Sequence, residues 1–185
     1  MVAILALASC EKQGIDRFRG NYSFKTSGSI TVVRDPEFIY DTTYVLRDGA
    51  IDTVVTEHSD PMTLSLTNEM GQMDITVVDA KENGMVVTMN VTGGDMVVYY
   101  ASAEGKDLVL DEAHRHISLF TPVADGQDEE FGLRPVVSDV TVTGGGQKYD
   151  NIILLDLRYE GDFWANDRLY HITDCDIVCR AKLNE

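Results

Sequence analysis

Tyr22-Ser23-Phe24-Lys25-Thr26-Ser27-Gly28-Ser29-Ile30-Thr31-Val32-Val33 is the stretch whose pattern decides the fold. Its alternation puts Tyr22, Phe24, Thr26, Gly28, Ile30 and Val32 on one face and Ser23, Lys25, Ser27, Ser29 and Thr31 on the other. Successive side chains of a strand point to opposite sides, so a period of two marks a strand buried on one face. Gly28, on the inner face, predicts a bend.

The same period recurs along the chain. Met62, Leu64 and Leu66 alternate with Thr63, Ser65 and Thr67; Met73, Ile75 and Val77 with Asp74 and Thr76; Met85, Val87, Met89 and Val91 with Thr88, Asn90 and Thr92. Glu69 to Gln72, Lys81 to Gly84 and Thr92 to Asp95 read as tight turns between them, and Arg47-Asp48-Gly49 separates two strand-like runs, Phe38 to Leu46 and Ile51 to Glu57. Met96 to Ala101, Leu108 to Leu110, His116 to Thr121 and Val136 to Thr143 supply further strands, and Gly144-Gly145-Gly146 reads as the turn before the last hairpin. In that hairpin Ile153, Leu155, Leu157, Tyr159 and Phe163 share a face, as do Leu169, His171, Cys175, Ile177, Cys179, Ala181 and Leu183 on the return strand. No segment carries a helical period. Val, Thr and Ile number 20, 15 and 11, a composition that favours strands. The expected fold is therefore all-β, an antiparallel up-and-down meander barrel of about 8–10 strands, with a β-sandwich as the alternative.

Composition sets the function classes. With 44% apolar and 25% charged residues, the 185-residue chain can build one ordinary core. Its net charge of −16 argues against nucleic acid, whose phosphates demand clustered Lys and Arg. The first residues, MVAILALASC, form an apolar run too short to span a bilayer, ending in Leu7-Ala8-Ser9-Cys10. That ending resembles the lipobox of bacterial lipoproteins, which implies lipidation at Cys10 and a cell-envelope location, outer membrane, periplasmic or surface-facing, with the membrane reached through the anchor. The expected organisation is a leader over 1–9, an anchor and tether over 10–20, and one barrel domain over 21–185.

Arg19-Gly20-Asn21-Tyr22, at the start of the first long strand, resembles the Gly-x-Trp start of lipocalins, with Tyr22 in the tryptophan's place. With the meander and the leader, the chain is similar to lipocalin-like or calycin-like envelope lipoproteins. The resemblance implies a barrel with a cavity for small apolar ligands.

Catalytic chemistry has no legible seat. Asp111-Glu112-Ala113-His114 spells a helicase box without a phosphate-binding loop to accompany it, and no Gly-x-Ser-x-Gly elbow is present. His171 and Cys175 are too far apart along one strand to form a dyad. Cys175 and Cys179 would lie about 13 Å apart on a regular strand, too far for a disulfide, and read as reduced core residues. Glu112, His114 and His116 point the same way on a strand and are the metal candidates, against the plainer reading of a polar turn leading into a strand. Asp125, Asp128, Glu129 and Glu130 offer oxygen ligands for calcium but lack EF-hand spacing, so a solvated acidic loop is the preferred reading.

Met62, Met73, Met85, Met89 and Met96 all read as inward-facing, and methionine's flexible thioether suits an interior that adapts to varied apolar ligands as well as it suits core filling. With Tyr22 and Phe24 they are the candidate cavity lining. The sequence thus points to a non-enzymatic, cofactor-free envelope lipoprotein binding a small apolar or amphipathic ligand. The alternative is an accessory module contacting another envelope protein or a glycan.

Overall fold

The computed structural model describes residues 14–35, 38–59, 61–66, 68–79, 83–120, 135–165 and 168–185. A short 3-10 helix, Gly14–Arg17, leads into β1 (Gly20–Arg34), followed by β2 (Phe38–Arg47), β3 (Ala50–Ser59), β4 (Met62–Ser65), β5 (Met70–Asp79) and β6 (Gly84–Val91). Then come β7 (Met96–Glu104), β8 (Asp107–Phe120), β9 (Pro135–Tyr149), β10 (Ile152–Glu160), β11 (Asp162–Ala165) and β12 (Arg168–Leu183). Eight of these close a barrel in the order β1, β5, β6, β7, β8, β9, β10, β12 and back to β1, every pairing antiparallel. The closing seam runs from Tyr22 opposite Leu183 to Arg34 opposite Tyr170. One continuous ladder is a barrel and not two facing sheets, and closure leaves the long strands no open edge.

Two strands are split. β1 pairs through Gly20–Lys25 with β5 and through Ser29–Val32 with β4. β12 pairs in the same way with β10 near its C-terminal end and with β11 near its start. The tight turn expected at Glu69 to Gln72 is therefore absent. The Thr26 backbone N–H donates to the Glu69 carbonyl at 2.8 Å, which holds this segment along β1, and Met70 already belongs to β5.

Glycines decide where strands approach. Gly144 to Gly146 lie inside β9, not in a turn; the turn is at Asp150, with φ of 50°. A Cβ on Gly146 would sit 1.7 Å from the Leu154 carbonyl oxygen, and one on Gly144 2.2 Å from that of Asp156, so these two let β10 close on β9, while one on Gly145 would sit 2.5 Å from the Leu108 oxygen on β8. Gly28 stays within β1, but it is needed there: its φ is 140°, and a Cβ would lie 2.0 Å from the Asp176 oxygen on β12.

Two bulges change which side chains face inward. The Leu110/Ala113 bulge in β8 switches the inner row from Leu108 and Leu110 to Ala113, Arg115, Ile117 and Leu119. Leu108 to Phe120 is consequently one bulged strand, not two strands around a polar turn. The irregularity opposite Thr31/Val32 does the same on β12: Tyr170 is buried before it, and Ile177, Cys179 and Ala181 after it. The expected inward positions of Leu169 and His171 fail for this reason. Met96 is also misplaced by one residue. β7 turns Tyr99, Ala101 and Ala103 inward and leaves Met96 64% exposed.

One end of the barrel is plugged. Ile15 and Phe18 are buried in the same cluster as the inner strand faces. The Tyr22 hydroxyl donates to the Phe18 carbonyl at 2.7 Å, while Lys148 Nζ donates to the Arg17 carbonyl at 2.7 Å and to the Tyr22 hydroxyl at 3.0 Å. Lys148 Nζ also lies 5.3 Å from the Tyr22 ring centre, a cation–π distance. Beyond the other end of β1, β2 and β3 pair only with each other as a ten-by-ten hairpin around an Asp48-Gly49 turn of positive φ.

Candidate functional site: a polar belt inside the barrel

Arg115 is the one arginine buried among the described residues, and the β8 bulge is what turns it inward. A buried guanidinium requires a counter-charge and hydrogen bonds. Glu69 supplies both from the break between β4 and β5, accepting from Arg115 Nη2 with its two carboxylate oxygens at 2.9 and 3.0 Å. Thr26 fixes Glu69 in turn: its Oγ1 accepts the Glu69 backbone N–H at 3.0 Å. Arg115 Nη1 donates to the Tyr99 hydroxyl at 2.9 Å.

The belt is left with hydrogen-bonding capacity that the protein does not use. Arg115 Nε, the Tyr159 hydroxyl and Ser138 Oγ are buried and have no protein partner. Tyr99 spends its oxygen as an acceptor toward Arg115, which leaves its proton to give. Burial pushes the Tyr99 and Tyr159 phenols upward, only partly opposed by the neighbouring Arg115 charge, so both stay protonated and able to donate. Burial alone would lower the Arg115 pKa, but Tyr99, Tyr159 and Glu69 around it more than offset that and hold it charged. The outcome is an interior with spare donors around an already neutralised ion pair. Its natural complement is a hydrogen-bond acceptor such as a carbonyl or carboxyl oxygen.

Apolar side chains occupy the rest of the inner surface. Tyr22, Met73 and Met89 are cross-strand neighbours in one inward row over β1, β5 and β6, with Phe24 and Met85 buried nearby in the same cluster. Met62 is partly buried against that cluster. Five of the seven lining candidates are thus buried together and a sixth packs at their edge, while Met96 stands outside. A surface feature lies where β10 leaves β12. There a crevice of about 340 Å³ is bordered by Arg158, Tyr159, Glu160, Thr173, Asp174 and Cys175.

The metal candidates point outward. Glu112, His114 and His116 are exposed, because the bulge that brings Arg115 in turns its even-numbered neighbours out. Among the described residues no group of three or more His, Cys, Asp or Glu is placed to hold a metal ion. Asp125, Asp128, Glu129, Glu130 and Cys10 lie outside the described residues. Cys175 and Cys179 are free thiols; burial raises both, Cys179 to about 12. Sequence reasoning passed over Arg115, Glu69, Tyr99, Tyr159 and Ser138 as a set. The alternation of Ala113, Arg115, Ile117 and Leu119 with His114, His116 and Ser118 was the available signal for the first of them. Compared with protein-family models, with curated proteins and with solved structures, the chain matches none.

Proposed function

We propose that this protein is a non-enzymatic, envelope-anchored lipoprotein of lipocalin-like type whose barrel binds a small amphipathic molecule. The observation that carries the reading is the set of buried donors without protein partners, Arg115 Nε, Tyr159 Oη and Ser138 Oγ, on the same inner surface as the methionine-rich row. The ligand's acceptor oxygen meets the donors and its apolar body meets Met73, Met85 and Met89. Because Glu69 already balances Arg115, a neutral carbonyl suits the belt better than a carboxylate. The lipobox-like Leu7 to Cys10 supports anchorage, and the acidic surface then serves solubility, not membrane contact.

The test is a calorimetric titration of the mature chain with 1-monolaurin and with laurate. The expected result is binding of monolaurin in preference to laurate, weakened about tenfold by Tyr159→Phe combined with Ser138→Ala. Equal binding by that variant, or no binding of either probe, overturns the interior site. Anchorage is tested separately by metabolic labelling with an alkyne fatty acid: incorporation lost in Cys10→Ala supports it, and incorporation that survives the substitution contradicts it.

One observation favours the second reading, an accessory module that contacts another envelope protein. On the β2–β3 hairpin Tyr40, Tyr44, Leu46, Ile51 and Val55 share one face and are 58–74% exposed. Photocrosslinking from Tyr44 in intact cells to a single defined protein supports this role; crosslinking to none removes it.

A further inference from the structure

The outer wall over the triple glycine carries a second feature, separate from the interior. Val109, Gly145, Asp156 and Val178 form an outward row across β8, β9, β10 and β12, with Asp107, Gln147 and Leu154 in the next row toward the plugged end. Gly145 contributes no side chain, and a groove of about 630 Å³ runs over it, inside the range of small-molecule sites, about 300–1,000 Å³. Tyr149 borders it, 57% exposed. An exposed aromatic on a strand end is ordinary; this one is held. Its hydroxyl donates to Gln147 Oε1 at 3.0 Å, and Gln147 Nε2 donates to Asp107 Oδ1 at 2.6 Å.

That chain of bonds fixes both the ring and the amide, so little side-chain freedom is lost on binding. It also sets the polarity of the groove. The Tyr149 proton and one Gln147 N–H are spent internally, while Asp156 and the second oxygen of Asp107 remain acceptors. Asp107 and Asp156 are the charged side chains in the lining, and no Lys or Arg is among them. Arg180 stands beyond Leu154 in that row, outside the lining, so within the groove itself the fixed charge is acidic and disfavours phosphate and carboxylate ligands. What fits is a neutral molecule with many hydroxyl donors and apolar C–H faces for the tyrosine ring and for Val109, Leu154 and Val178.

We infer that this groove is a binding site for a neutral oligosaccharide, with Tyr149 as the stacking platform and Asp107, Gln147 and Asp156 as the groups that receive its hydroxyls. The site does not depend on the interior one. The experiment is titration calorimetry of the mature chain with three probes, chitotetraose, cellotetraose and maltotetraose, alongside spermidine as a cationic control. At least one saccharide is expected to bind with Kd below about 1 mM. Tyr149→Ala is expected to weaken it at least tenfold, Tyr149→Trp to retain it, and Asp156→Ala to weaken it severalfold. Both positions are on the surface, and unchanged thermal melts show that the variants are folded. No saccharide binding at about 10 mM, affinity indifferent to Tyr149→Ala, or spermidine binding in place of the sugars overturns the assignment. A failure here leaves monolaurin binding untouched, so the two sites are judged independently.

Discussion

Arg115 comes from β8 and Glu69 from the segment between β4 and β5, and each is tolerable inside only because of the other. Glu69→Ala leaves a buried guanidinium without its carboxylate, and is expected to lower the unfolding free energy by about 3–5 kcal/mol. Tyr99→Phe removes one hydrogen bond and costs about 1 kcal/mol. Glu69→Leu with Arg115→Met, which removes both charges together, recovers most of the loss. Urea unfolding measures all three, and a Glu69→Ala variant within about 1 kcal/mol of the parent contradicts the burial argument. A second residue-scale consequence is alkaline. Burial pushes Tyr22 up to about 12 from 10.0 and Cys179 to about 12 from 9.0. Both groups are held neutral in the folded chain, so their contribution is fully present below pH 9 and is lost as pH rises from 9 through 12. The urea midpoint should fall across that window, and Cys179→Ala should reduce the part that begins near pH 9, to which Cys175 also contributes. A midpoint flat from pH 9 to 11 is the contrary result.

Strand by strand, the pairings separate what the barrel needs from what it carries. Among the described residues β2 and β3 pair with no barrel strand, so replacing 38–59 by a short Gly-Ser linker is expected to leave the melting temperature within about 2 °C. A fall of about 10 °C would mean that the hairpin braces the barrel. Gly146→Ala should do the reverse. Its Cβ would collide with the Leu154 oxygen, and a loss of at least about 2 kcal/mol in urea is expected. The elements were legible in the residues because alternation survives within each run: Tyr22 to Val33, Met85 to Val91 and Ile153 to Tyr159 are strands as read. Bulges were not legible. One extra residue between Leu110 and Ala113, and one at Thr173, reverse the facing of everything beyond them, and no local propensity announces either. That is why Glu112, His114 and His116 are only metal candidates in the sequence, set against a polar turn, while Arg115, between them, is the side chain that enters the barrel. The split pairings of β1 and β12 were hidden for a related reason, since a strand's sequence does not say which neighbour serves each half.

At the scale of the whole molecule, closure by β1 and β12 creates an inside, and the plug of Ile15, Phe18 and Tyr22 shuts one end of it. Inner side chains are graded along the barrel, from aromatic and methionine-rich near the plug to hydrogen-bonding around Arg115. Among the described residues Glu69 is a carboxylate drawn inward, to meet Arg115. The central claim is that this graded interior holds an amphipathic molecule by its acceptor oxygen. Native mass spectrometry of the chain, purified under mild conditions from the cells that make it, tests that claim most directly. The predicted spectrum shows the chain carrying one small molecule that organic solvent releases and that is lost when Tyr159→Phe and Ser138→Ala are combined. A spectrum of the bare chain alone, unchanged after incubation with monolaurin, would contradict it.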